Sequence, residues 1–374
     1  DGDKEQKKQM VLNRICLVLE QLPASLLKVR LLTYTYGEVY EEVLFQEAYA
    51  IIEGWNKDNI GHHIVRNNTI FACEQTGMCG SMGASFSVIE NNHIYDIWTK
   101  RQFNGAEIGG IKFHAALDAR IAHNRIHNTG RALWLDWMTQ GTHVSSNLFY
   151  GNDLEDIFLE VNHGPFLVEN NILASHRSIL EQSQGGAYVH NLICGKIHNY
   201  VEHGRYTPYF LPHSTEVAGL SIIPGGDDRF YNNLFATVDF ENSDKALGSF
   251  GLKGYEKTAY PMYVDGNVYY GTAVPFVKED HKLVDASFVP DVRIEEEGDK
   301  VFLVIKNKDL KQVETQMITT DKLGTAKLPK QRYEYSDGKP IQINYDYLGN
   351  PRGEHPTSGP LESLQAGEMR IQVW

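Results

Sequence analysis

One residue recurs in this chain at a spacing that few folds can accommodate. Asparagine, with a large apolar residue three positions before it and another two positions after it, appears in "VRNNTI", "IENNHI", "IAHNRI", "VSSNLF", "VENNIL", "YVHNLI", "FYNNLF" and "VDGNVY". The positions are Asn68, Asn92, Asn124, Asn147, Asn171, Asn191, Asn233 and Asn267, with successive differences of 24, 32, 23, 24, 20, 42 and 34. A basic period of about 20 to 24 with three insertions suits one coil of a solenoid. Leucine-rich repeats share the period but need a leucine-dense signature that is absent here. Short β-runs between Asn and Gly turns instead predict an all-β, right-handed parallel β-helix. Asparagine tolerates left-handed backbone geometry and can hydrogen-bond its counterpart one coil away, so these residues are expected to form a structural ladder.

The register divides the chain. Residues 1–55 lack it, open without methionine, and carry "ICLVLEQLPASLL", which reads as a short amphipathic helix interrupted by Glu20, Gln21 and Pro23 rather than a membrane span. Residues 56–280 form the solenoid. Residues 281–374 read as a C-terminal β extension, with "VRIEEEGDKVFLVIKN" as a hairpin turning at Gly298 and "MRIQVW" as a last strand. The long insertion between Asn191 and Asn233 contains "GRYTPYFLPHS", whose Tyr209 and His213 are candidates for lining a sugar pocket.

Composition narrows the partners. A formal net charge of −13 and the lack of any basic stripe argue against nucleic acid and anionic membrane and favour a neutral substrate. The four cysteines are too scattered for a disulfide framework or a metal-spaced set. With no signal peptide in view, they point to buried thiols in the cytoplasm. No cofactor or metal is expected, and a structural Ca²⁺ and homo-oligomer formation are left open.

Aligning coils on their asparagines brings "IKFHA", "LWLDW", "IFLEV" and "SILEQ" to similar offsets, as one strand on four consecutive coils. Because strand side chains alternate faces, Phe113, Leu135, Leu159 and Leu180 are expected inside, with His114, Asp136, Glu160 and Glu181 outside. Asp136 and Glu160 are 24 residues apart, one coil, and adjacent strands lie about 4.8 Å apart. Like charges so placed repel, and one of the two should titrate high. Carboxyls about 5 to 5.5 Å apart are also the geometry of a retaining glycosidase. Asp136, flanked by Trp134 and Trp137 as a dry wall and sugar-stacking face, is then the nucleophile, and Glu160 the acid/base. Glu181 extends the column. His114 lies in it, His163 follows Glu160 in an "HGP" turn, and Glu107 sits near the coil before Asp136, all three as substrate-binding candidates. Replacing Asp136 by Asn should remove a like-charge contact and leave the fold as stable or slightly more so.

The strings "GAEIGGIKFHAA", "GRALWLDWMTQGTHVSSNLFYGN" and "DLEDIFLEVNHGPFLVENNIL" together resemble the glycoside hydrolase family 120 β-xylosidases, over roughly residues 55–374. The resemblance implies a retaining enzyme on a right-handed β-helix that releases xylose from xylo-oligosaccharides. It puts Asp136 on the family nucleophile, Glu160 on the acid/base and Glu107 on a further active-site glutamate. Members carry a long segment ahead of this region, holding the first coils and a β-sandwich, and residues 1–55 do not resemble it. Two other readings use the same solenoid. A polysaccharide lyase or epimerase needs a basic residue at the column, which offers no outward Lys or Arg: Lys112 shares the parity of His114 but stands two residues away, and Arg131 precedes the strand. A non-catalytic carbohydrate-binding solenoid needs only the groove.

Overall fold

The computed structural model describes residues 55–102 and 107–374. The expected helix at residues 15–27 falls outside them. From Ile64 onward the chain winds through three parallel sheets of eight, nine and six strands, here called A, B and C. The first coil contributes Ile64–Arg66 to A, Thr69–Phe71 to B and Thr76–Gly80 to C, and each later strand pairs in parallel with its counterpart one coil on. This is a right-handed parallel β-helix.

The asparagines stack at the tight corner between sheets A and B. Asn92 Nδ2 donates to Asn124 Oδ1 at 3.0 Å, Asn124 Nδ2 to Asn147 Oδ1 at 3.0 Å, and Asn147 Nδ2 to Asn171 Oδ1 at 2.9 Å. The same oxygens accept the backbone N–H of the preceding asparagine, as Asn171 Oδ1 does from Asn147 at 2.9 Å. Each side-chain amide also reaches a strand carbonyl of the previous coil, as Asn147 does to Ile121. A carboxamide has donors and an acceptor together, so one residue type satisfies its own copy along the whole column. The run ends at Glu279, whose Oε1 accepts from Asn267 Nδ2 at 2.8 Å.

The left-handed geometry belongs to the preceding residue. Asn67, Asn91, His123, Ser146, Asn170, His190 and Asn232 all have φ between 53° and 60°, while the ladder asparagines do not. Gly266 takes this position in the last turn, where a Cβ would come within 2.2 Å of Asn232 Oδ1.

Inside, Ile111, Phe113, Leu133, Leu135, Ile157, Leu159 and Ile179 stack beneath sheet C, continued by rings such as Tyr188 on Phe230 at 4.5 Å. Outside sheet B, Leu148, Ile172, Leu192 and Val268 pack against Val301, Leu303 and Ile305. These last three belong to a three-stranded antiparallel sheet of Arg293–Glu297, Lys300–Asn307 and Gly367–Gln372. Burying that apolar face fixes the C-terminal part on the solenoid.

Sheet C carries the outward column, and its strands are labelled β1 (Thr76–Gly80), β2 (Gly109–His114), β3 (Leu133–Asp136), β4 (Ile157–Glu160), β5 (Arg177–Gln182) and β6 (Lys196–Asn199). The insertion after Asn191 forms an antiparallel hairpin of β7 (Glu202–Phe210) and β8 (Val217–Ile223).

The register corrects one assignment made from sequence. His114 pairs with Asp136, and the Leu135–Leu159 pair sets Glu160 beside Asp136, as expected. On β5, however, Gln182 aligns with Glu160, Glu181 with Leu159 and Leu180 with Phe158. Glu181 therefore points into the solenoid and Leu180 out, where Leu180 packs with Trp134 and Phe158. A slip of one residue exchanges the faces of a strand. The buried Glu181 carboxyl accepts from the hydroxyls of Tyr188 and Tyr255. Burial pushes it up to about 7, against those two hydrogen bonds.

Candidate active site

Three strands place side chains on one outward patch. Lys112 and His114 stand two residues apart on β2 and so share its outer face, with Asp136 beside them on β3 and Glu160 beyond on β4. Asp136 Oδ2 accepts from Lys112 Nζ and from His114 Nε2, each at 2.8 Å. Asp136 Oδ1 accepts the backbone N–H of Trp137 at 2.8 Å. Burial alone would raise the Asp136 pKa, but His114 and Lys112 outweigh it and hold the carboxyl well below the usual carboxylate range.

Glu160 behaves in the opposite way. Burial and the neighbouring Asp136 charge raise it, and Arg205 only partly offsets them. Its Oε2 accepts from Trp134 Nε1 at 2.9 Å, and its Oε1 from Arg205 Nη1. Two carboxyls of one column are thus driven apart, one kept ionised and the other inclined to hold a proton.

Glu107 lies on the far side of Lys112, with 3.4 Å between Oε1 and Nζ, and its Oε2 accepts from Cys79 Sγ at 3.3 Å. Burial pushes Glu107 up, but Lys112 and His114 pull it down further, so it sits below its ordinary value. Lys112 is itself buried. Burial opposes its charge, yet Asp136 and Glu107 more than compensate, and its pKa is raised. Its ammonium also lies 4.4 Å from the centre of the Trp134 ring.

Other residues expected at the site lie elsewhere. His163 is 3% exposed, with Nε2 2.9 Å from Thr207 O and Nδ1 3.0 Å from Gln184 Nε2. Burial drives it down to about 4 despite its hydrogen bonds to backbone carbonyls, and it anchors the hairpin instead of facing a sugar. Tyr209 packs edge-on against His163 at 5.6 Å. His213 bonds both Asp118 oxygens at 3.0 Å, in a separate cavity of about 240 Å³ lined also by His143, Tyr333 and Glu334. That cavity includes neither Asp136 nor Glu160, and its carboxylates, Asp118 and Glu334, flank His213; the outward column, with two carboxyls on adjacent strands, is the better candidate. Trp137 stays at the patch, its ring 4.9 Å from the Arg205 guanidinium.

Lys112 and Arg205 escaped the sequence reading. The parity of Lys112 was visible, but not that a four-carbon stem would fold back over one coil to reach Asp136. Arg205 arrives from an insertion outside the coil register.

Residues 53–193 match the family model of the right-handed β-helix region. A solved structure, the complex of XylC with xylose, aligns over 91% of this chain with 42% sequence identity and a TM-score of 0.81. The chain is a right-handed parallel β-helix, similar to XylC along most of its length. It spans 58% of the XylC chain. Residues 1–37 match the model of the UpxZ family of transcription anti-terminator antagonists, and no curated protein matches the chain.

Proposed function

We propose that this chain carries the active site of a retaining β-xylosidase that removes xylose from the ends of xylo-oligosaccharides. The observation that carries the reading is the opposed electrostatics of Asp136 and Glu160 on adjacent strands. Asp136, ionised and fixed by Lys112, His114 and the Trp137 N–H, attacks the anomeric carbon while Glu160 gives its proton to the departing glycosidic oxygen. The C–O bond to the aglycone breaks as the Asp136–carbon bond forms. Glu160, now ionised, takes a proton from water, whose oxygen displaces Asp136 and releases xylose. Two carboxyls suffice for this chemistry, so no cofactor is required. Support for xylose as the sugar comes from the 42% identity to a protein solved with it.

Replacing Glu160 by Ala tests the assignment. With an activated aryl xyloside the first step survives and the second slows, so a burst of aglycone precedes slow turnover. Azide should restore turnover and give the β-xylosyl azide, because a small anion attacks the glycosyl-enzyme without base help. An α-azide would contradict a covalent intermediate on Asp136. Rescue of Asp136→Ala and not of Glu160→Ala would reverse the two roles.

The lyase reading regains one argument from the structure, since Lys112 and Arg205 supply the basic groups that the sequence did not show at the column. Lys112 is nevertheless held as an ammonium and cannot abstract a proton. Formation of unsaturated uronate from an acidic polymer, without xyloside turnover, would favour that reading.

A further inference from the structure

Arg205 lies where the substrate of the proposed reaction has to go. Its Nη1 donates to Glu160 Oε1, its Nη2 is 3.8 Å from Asp136 Oδ1, and its guanidinium covers the Trp137 ring. One cation thus bridges both carboxyls. In a double displacement the glycosidic bond must enter between those same carboxyls, with the anomeric carbon facing Asp136 and the leaving oxygen facing Glu160.

The backbone explains how Arg205 gets there. Between the Glu202–Ile223 and Thr207–Ser221 pairs, β7 advances five residues while β8 advances two. The surplus residues, Arg205 among them, bulge out of the hairpin over sheet C, as bulges beside functional sites commonly do to re-aim a side chain. Both flanks of the bulge are tied down. Glu202 Oε2 accepts from Gln182 Nε2 at 2.9 Å, and Thr207 O contacts the buried His163. Gln182 is the register neighbour of Glu160, so the anchor and the acid belong to the same column. Arg205 itself keeps 30% of its side chain exposed, enough freedom to swing on its long stem while the hairpin stays in place.

We infer that Arg205 is a displaceable positioning residue: in the empty site it bridges Glu160 and Asp136, and it releases Glu160 when a xyloside enters between them. This rests on the reading of Glu160 as the acid/base. Two properties follow. In the free protein the bridge offsets the repulsion between the carboxyls and favours the ionised form of Glu160, and in the complex that restraint is gone, so Glu160 becomes a stronger proton holder at the moment it must act as an acid.

The test compares wild type with Arg205→Met and Arg205→Lys, using phenyl β-xyloside, a substrate with a poor enough leaving group to need the acid. The pH dependence of kcat/KM reports the free enzyme and that of kcat the complex. The expected result is a basic limb of kcat/KM that moves to higher pH in Arg205→Met and largely returns in Arg205→Lys, while the basic limb of kcat stays where it is in wild type. Equal movement of both limbs would show that Arg205 does not leave, and movement of neither would show that it does not govern Glu160; either overturns the inference. A titration of the ¹³C-labelled Glu160 carboxyl by NMR, assigned with Glu160→Gln, gives a readout without turnover. It should move upward in Arg205→Met, and an unmoved curve in the folded variant overturns the inference. If wild type hydrolyses no xyloside, the proposed function fails, and the same titration still decides whether Arg205 holds Glu160.

Discussion

Two polar columns of the solenoid, each with one residue per coil, obey opposite rules. At the A–B corner asparagine repeats eight times from Asn68 to Asn267, buried and neutral over most of its length, each side chain giving to and taking from its copies. On the outer face of sheet C no residue repeats without change, and the sequence runs His114, Asp136, Glu160, Gln182. A carboxylate only accepts, so stacked copies repel and each needs a foreign partner. Lys112, His114 and Arg205 are those partners. Self-complementarity makes a scaffold, and its absence makes a site whose charges are held by side chains of another kind, two from the neighbouring strand and one from the inserted hairpin.

Exchanging the logic of the columns gives the sharpest tests. Asp136→Asn puts an amide into the charged column, and xyloside turnover should fall by roughly four orders of magnitude or more, since a group essential to a covalent step is lost. The like-charge argument by itself expects the fold to hold or gain stability. The contacts predict otherwise, because the buried Lys112 would keep only Glu107 as a carboxylate partner. Breaking such a pair should cost about 3 kcal/mol in urea unfolding. A variant as stable as wild type would mean that Lys112 does not depend on Asp136.

The converse change is Asn147→Leu. It removes an acceptor from Asn124 and donors to Ile121 O and Asn171 Oδ1, all buried. About 4 kcal/mol of stability should be lost, with kcat unchanged at temperatures where the protein remains folded. A loss below about 1 kcal/mol would show that the ladder is incidental.

The smallest effect concerns the inner face, where a carboxyl stands among apolar residues. The Glu181 pKa is raised from 4.5 to about 7, so the folded state binds its proton more tightly than the unfolded chain does. Its favourable contribution is complete below about pH 4.5 and is lost as pH rises through 7. Glu181→Gln should flatten the fall in stability across that window by up to about 3 kcal/mol, followed by thermal unfolding at a series of pH values. An unaltered slope would assign the pH dependence to other carboxyls that burial raises, among them Glu169 and Glu279, to about 7, Asp156, to about 8, and Asp228.

Those columns also explain what could be read from the sequence. The ladder was legible because its members are identical and must be. Asp136 and Glu160 were legible because they lie one basic period of 24 apart inside similar strings, although Asp136 stands 12 residues after Asn124 and Glu160 13 after Asn147. The alignment failed at the next coil, where Glu160 stands 13 residues after Asn147 but its partner Gln182 only 11 after Asn171. Matching the Leu-Glu of "SILEQ" to that of "IFLEV" took Glu181 for the counterpart of Glu160, one residue out of register, and so put Leu180 and Glu181 on the wrong faces. Arg205 carries no periodic signal, because a bulge in an inserted hairpin answers to no coil. His163 and Tyr209, both expected to bind substrate, instead pack against each other where the hairpin is fastened to the solenoid.

The asparagine ladder has a direction. Along the column each amide donates to the side-chain oxygen of the next coil, and the last is received by Glu279 Oε1. A coil duplicated between Asn147 and Asn171 would present a donor to one neighbour and an acceptor to the other, and so splice in without loose ends. A coil appended after Asn267 would meet a terminus already sealed by Glu279. Such a molecule can lengthen from within while its far end stays fixed, and the carboxyl pair on sheet C would be carried along intact as long as the splice fell outside the two coils that hold it.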